Sequence, residues 1–84
     1  MRIPREVSGQ ELVKLLGKLG YKPTRQTGSH VRVTCISEKG EHHITIPQHG
    51  SLRIGTLNNI IADVASYLNK EKADIVDEIF ANKR

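Results

Sequence analysis

Apolar residues first recur at the spacing of a helix face, with Leu12, Leu15, Leu16 and Leu19 three and four positions apart. Just before them, Ser8-Gly9-Gln10-Glu11 reads as a capping box, in which the serine oxygen takes the amide three residues on and the glutamate reaches back. Gly20 follows the last leucine and supplies the left-handed residue that closes a helix. Lys14 and Lys18 fall off the leucine stripe, which assigns the leucines to the core and leaves the lysines free for an anion. Three segments with strand chemistry follow, at residues 21–26, 30–37 and 42–46, separated by Thr27-Gly28-Ser29 and Glu38-Lys39-Gly40-Glu41, both of which read as hairpin turns. The two-residue period of a strand puts Val31, Val33 and Cys35 on one face and His30, Arg32 and Thr34 on the other. In the third strand Ile44 and Ile46 face inward with His42, His43 and Thr45 face outward, and Pro47, with no amide to donate, ends the ladder. After a polar loop, Leu57, Ile60, Ile61 and Val64 predict a second amphipathic helix starting near Gly55-Thr56. A third is predicted from about residue 69 to 81, with Ala73, Val76, Ile79 and Phe80 as its buried side. The order α-β-β-β-α-α predicts an α+β fold, a three-stranded antiparallel sheet with helices on one face.

At 84 residues the chain is the size of one small domain, which buries roughly 60% of the surface its unfolded form exposes and leaves no room for a second core. Residues 1–7 include Arg2, Pro4, Arg5 and Glu6 and lack the apolar stretch of a signal peptide. No run approaches the ~20 apolar residues of a membrane span. A cytoplasmic protein is therefore expected. The one cysteine, Cys35, has no partner for an internal disulfide, and with Val33 and Ile36 around it and no basic neighbour it reads as a small core residue rather than a nucleophile. The net charge of +4 is unevenly placed: residues 1–50 hold eight Lys and Arg against four Asp and Glu, and residues 51–84 hold five of each. A localised positive field suits a polyanion such as RNA, although a solvated basic face has the same composition.

Four histidines lie between positions 30 and 49. Histidine titrates near neutral pH, so it can take a proton from a ribose 2′-hydroxyl or give one to a leaving 5′-oxygen. RNA supplies its own nucleophile, and an RNase built on this principle needs no metal. His30 is the candidate catalytic residue: Gly28 and Ser29 form the turn before it, Arg32 follows on the same face, and Arg25 lies across the hairpin, within reach of the same phosphate. A lone surface histidine is also commonly no more than a solvated side chain. A zinc site is the competing reading; His42 and His43 are adjacent on a strand and point to opposite faces, and no Cys or carboxylate pair has ligand spacing nearby, so no metal or other cofactor is expected. His49, between Pro47 and Gly50, reads equally as a second acid/base or phosphate ligand and as a loop-packing residue.

Taken together, Ser8-Gly9-Gln10-Glu11-Leu12, Leu19-Gly20-Tyr21, Arg25-Gln26-Thr27-Gly28-Ser29-His30, Ile46-Pro47-Gln48-His49 and Gly55-Thr56-Leu57 resemble the HicA family of toxin–antitoxin mRNA interferases over about residues 1–65. The resemblance implies a double-stranded-RNA-binding-domain-like fold, ribosome-independent mRNA cleavage, and neutralisation by a HicB-like antitoxin that covers the active histidine. It places the catalytic histidine on His30, with Gly28 and Ser29 before it, and the proline-x-histidine element on Pro47 and His49. Some members have a second histidine directly after the catalytic one, where this chain has Val31, and Ile54 stands where a polar residue is more usual. Residues 66–84 extend beyond compact members as a helical extension of the domain spanning 1–84. The expected site is thus His30 for catalysis and Lys14, Lys18, Arg25, Gly28, Ser29, Arg32 and His49 for RNA, with a non-catalytic RNA-binding module as the alternative. That alternative has few aromatic surfaces for stacking bases, only Tyr21, Tyr67 and Phe80. An acidic inhibitor would complement the basic first half.

Overall fold

In the computed structural model, which describes residues 3–4 and 6–80, the capping box at Ser8 forms in full. Glu11 N–H donates to Ser8 Oγ at 3.0 Å and Ser8 N–H donates to Glu11 Oε1 at 2.9 Å. This starts α1 (Gly9–Gly17), which buries Leu12 and Leu16 completely and Leu15 in part, with Leu19 half-buried just past its end. The helix closes as a Schellman motif: Gly20, at φ +98°, donates to the Gly17 carbonyl and Tyr21 N–H donates to the Leu16 carbonyl.

The strands β1 (Lys22–Thr27), β2 (His30–Ser37) and β3 (Gly40–Pro47) form an antiparallel sheet in the order β1-β2-β3. Thr27 pairs with His30, so Gly28-Ser29 is a two-residue loop; its only positive φ is +56° at Gly28, the first central position of a type II′ turn. The expected alternation holds in β2 and β3: Val31, Val33, Cys35, Ile44 and Ile46 are buried under the helices. His30, Arg32, His43 and Thr45 take the open face. Thr34 also lies there but is buried, because Thr24 and His43 hydrogen-bond over it at 2.8 Å each. In β1 the register shifts between Pro23 and Arg25. Pro23 has no amide to donate, and an edge strand tolerates the resulting bulge.

After the loop, α2 (Ile54–Leu68) buries Leu57, Ile60, Ile61 and Val64 and ends on Asn69 in the left-handed conformation, φ 59°. Asn69 therefore terminates α2 instead of opening the last helix, and α3 (Lys72–Phe80) is shorter than the expected 69–81; Ala81 lies outside the described residues. Within α3 the buried side is Ile75, Val76 and Ile79, with Phe80 half-buried. Ala73, expected inside, is exposed, because the buried stripe centres on Ile75, Val76 and Ile79 and the helical period carries Ala73 past its edge. The apolar side chains of sheet and helices form one continuous core. At its edge His42 turns inward as expected: its Nδ1 is 2.7 Å from the Tyr21 hydroxyl, its Nε2 is 3.4 Å from Asp63 Oδ1, and its ring stacks on Tyr67 at 4.6 Å and 11°. Burial, reinforced by Cys35, Tyr67 and Asp63, pushes the Tyr21 phenol far above its usual pKa, so it remains a hydrogen-bonding neutral group.

Candidate functional site

His30 opens β2 directly after the Gly28-Ser29 turn and projects exposed from the open face of the sheet. Two residues on, Arg32 occupies the same face, paired with Arg25 on β1 and Thr45 on β3. Arg25, Thr27, His30, Arg32 and Thr45 line one cleft of about 230 Å³. The bulge after Pro23 is what brings Arg25 opposite Arg32, a common use of a bulge beside a site. Two like charges directly opposite each other on a sheet are destabilising. Among the described residues neither guanidinium has a carboxylate partner, and Arg32 Nε is buried without a hydrogen-bond partner. A bound anion would offset both penalties, and an imidazole stands in the same cleft.

The rest of the fold fixes this corner. Gln48 N–H donates to the Ser29 carbonyl at 2.6 Å, which ties the turn before His30 to the exit of β3, and Gly9 N–H donates to the His49 carbonyl at 3.0 Å. Gly9 packs so closely on that exit that a Cβ there would collide with the Pro47 carbonyl oxygen and lie 2.9 Å from Gln48 Cα. Gly28, by contrast, faces open space, so its role is its left-handed φ.

Of the other expected residues, Lys14 lines a neighbouring cleft that shares Arg25 with the first. Lys18 is drawn elsewhere: its Nζ donates to the Ile79 carbonyl at 3.4 Å, at the end of α3, and it lines neither cleft. His49 is exposed in a separate depression with Pro47, Arg53 and Thr56, beyond the Pro47 that pairs with His30. His43 has both ring nitrogens engaged, Nδ1 with Thr34 Oγ1 at 2.8 Å and Nε2 with Glu41 Oε1 at 3.2 Å. The His30 cleft thus contains a single imidazole. His42 and His43 do face opposite sides of the sheet, and among the described residues no three His, Cys, Asp or Glu side chains form a group that could hold a metal ion. Thr27 and Thr45 in the cleft, and Gln10, Gln26 and Gln48 in its neighbour, were not singled out by sequence reasoning; only the outward parity of Thr45 pointed to its place.

Sheet, helices and cleft define a small basic α+β domain that presents a solvent-facing histidine beside a pair of arginines. The family model described as HicA toxin of bacterial toxin–antitoxin matches residues 9–65, which include α1, the whole sheet and most of α2. The chain belongs to this family of toxins. Comparison with curated proteins gave no match, and neither did comparison with solved structures. Among the described residues no helix is long and apolar enough to cross a membrane.

Proposed function

We propose that this toxin is a ribosome-independent mRNA endoribonuclease in which His30 is the general acid/base. The observation that carries the reading is the convergence of His30, Arg25 and Arg32 on one cleft. Acting as base, the His30 imidazole takes the proton of a ribose 2′-hydroxyl, the 2′-oxygen attacks the adjacent phosphorus, and the 5′-oxygen leaves. The products are a 2′,3′-cyclic phosphate and a 5′-hydroxyl. Because the cleft holds a single imidazole, the leaving oxygen is protonated either by the imidazolium that His30 has become or by water. Arg25 and Arg32 stabilise the charge that builds on the phosphorane, as preorganised donors do where charge develops. Gly28 and Ser29 set the height of His30 above the sheet, Lys14 extends the basic surface along the strand, and His49 lies on the far side of Pro47 for a flanking phosphate. The partner is a HicB-like antitoxin whose acidic surface covers the His30 cleft. In toxin–antitoxin logic this contact is what makes the RNase safe to carry.

Positioned proton transfer is worth about 10² to 10⁴ in rate, so His30→Ala should reduce RNA cleavage by that factor and abolish toxicity. Its unfolding free energy should stay within about 0.5 kcal/mol of the parent, because the side chain is exposed. Mapping of new 5′ ends after incubation of RNA with pure protein, with and without EDTA, reads the outcome. Full cleavage by His30→Ala overturns the assignment, loss of activity in EDTA points to a metal enzyme, and RNA bound but uncut by the parent protein points to the binding module.

A further inference from the structure

The larger cleft, about 520 Å³, opens between α1 and β1 and shares Arg25 with the His30 cleft. Its volume falls within the roughly 300–1,000 Å³ of sites that enclose small ligands. Val13, Pro23 and Val31 line the cleft together with three carboxamide residues, Gln10, Gln26 and Gln48, and no carboxylate. Gln48 is half-buried and already oriented: its Nε2 donates to the Ile46 carbonyl at 3.1 Å, and the missing Cβ of Gly9 leaves room for that amide. One N–H and the Oε1 acceptor of Gln48 remain for a ligand. A donor beside an acceptor on a planar amide is the complement of a base edge, and Gln in this arrangement pairs with N6 and N7 of adenine.

We propose that this cleft is a base-reading subsite, holding the base of the nucleotide next to the scissile phosphate, with adenine as the edge that fits Gln48. The inference rests on the nuclease reading of His30 and adds the substrate feature that decides where RNA is cut. Arg25 joins the two clefts, so one guanidinium meets the phosphate between the base that is read and the bond that is broken. Lys14 stands on the helical side for the next phosphate along the strand. Val13, Pro23 and Val31 offer the base an apolar contact in place of an aromatic stack. An unpaired base is required, because a base inside an A-form duplex keeps its edge from side chains of this length.

The test uses short single-stranded RNAs that differ only in the base beside the cleavage site. With the parent protein, adenine should be preferred over the least favoured base by about tenfold or more in single-turnover rate, equivalent to about 1.4 kcal/mol. Gln48→Leu and Gln26→Ala should each cut that preference several-fold; Gln26 is exposed, so its variant keeps the test valid if the first fails to fold. Base ratios unchanged in both variants overturn the proposal while leaving the nuclease reading intact. If the parent cuts nothing, that reading has failed on its own, and the subsite is decided by titrating the His30→Ala protein with adenosine and uridine 5′-monophosphates by NMR. Saturable shifts of the Gln26 and Gln48 side-chain amides, stronger with the adenosine nucleotide, support it; shifts elsewhere or none overturn it. Unchanged base ratios together with weakened antitoxin binding would assign the cleft to the protein partner and likewise overturn the proposal.

Discussion

Gly9 is the residue on which the geometry of the site turns. It belongs to the capping box by sequence, yet its hydrogen is required by something else, the Pro47-Gln48 backbone pressed against it. Gly9→Ala should cost about 1–3 kcal/mol through forced backbone movement, measured as a fall in the urea midpoint at constant m. A variant that loses no stability would mean that the β3 exit can move aside freely. The box itself was legible in Ser8 and Glu11 because both partners lie within one helical turn. The close approach was not, because its other half is contributed from the end of β3, and no local pattern records a contact between segments so far apart in sequence. His30 shows the same division: its exposure followed from strand parity, whereas its cleft depended on how β1 was bent.

At the level of elements, β1 is the informative strand. All six of its residues are exposed and its alternation is broken at the bulge, so hydrophobic patterning had little to grip there, while β2 and β3 follow the period closely enough to be assigned face by face. The bulge places Arg25 against Arg32, a pairing that the sheet tolerates rather than prefers. Arg25→Gln should therefore leave the protein as stable as the parent or up to about 1 kcal/mol more stable, while weakening RNA binding and reducing the slope of log affinity against log salt by about one. A urea titration and a binding series over ionic strength read both halves. A stability loss, or an unchanged salt slope, would mean that the guanidinium serves the fold and not the ligand. Ala73 faces outward because the buried stripe of α3 centres on Ile75, Val76 and Ile79, whereas the late start of that helix has an equally local cause, the left-handed Asn69 that separates it from α2. Asn is among the few residues that adopt this conformation readily, but in a polar stretch it is equally at home in a helix or a turn.

Across the whole molecule, the cluster of Tyr21, His42, Asp63 and Tyr67 joins the start of the sheet, its far edge and α2. Tyr21→Phe removes the hydroxyl bond to His42 and should cost about 0.5–1.5 kcal/mol at neutral pH. The sign of the pH dependence follows from the raised phenol. Below its ordinary value of 10.0 both folded and unfolded chains keep the proton; above it the unfolded chain releases the proton first, so the parent loses stability as pH rises while the Phe variant lacks this contribution. The gap between the two should narrow above that pH in paired denaturation curves, and a constant gap would mean that the phenol is not held neutral by the fold. The α+β order could be read from periodicity alone, but this cross-linking could not, since Tyr21, His42 and Asp63 lie in separate segments and no local pattern pairs them. The same contrast between lineage and architecture governs the last helix. The family pattern stops at residue 65, before α2 has ended, yet Ile75, Val76 and Ile79 fill the common interior and Lys18 reaches across to the Ile79 carbonyl. The stretch that marks ancestry is thus smaller than the unit that folds, and a fragment trimmed to the ancestral limits would carry a bare greasy flank and drop out of solution before its chemistry could be assayed.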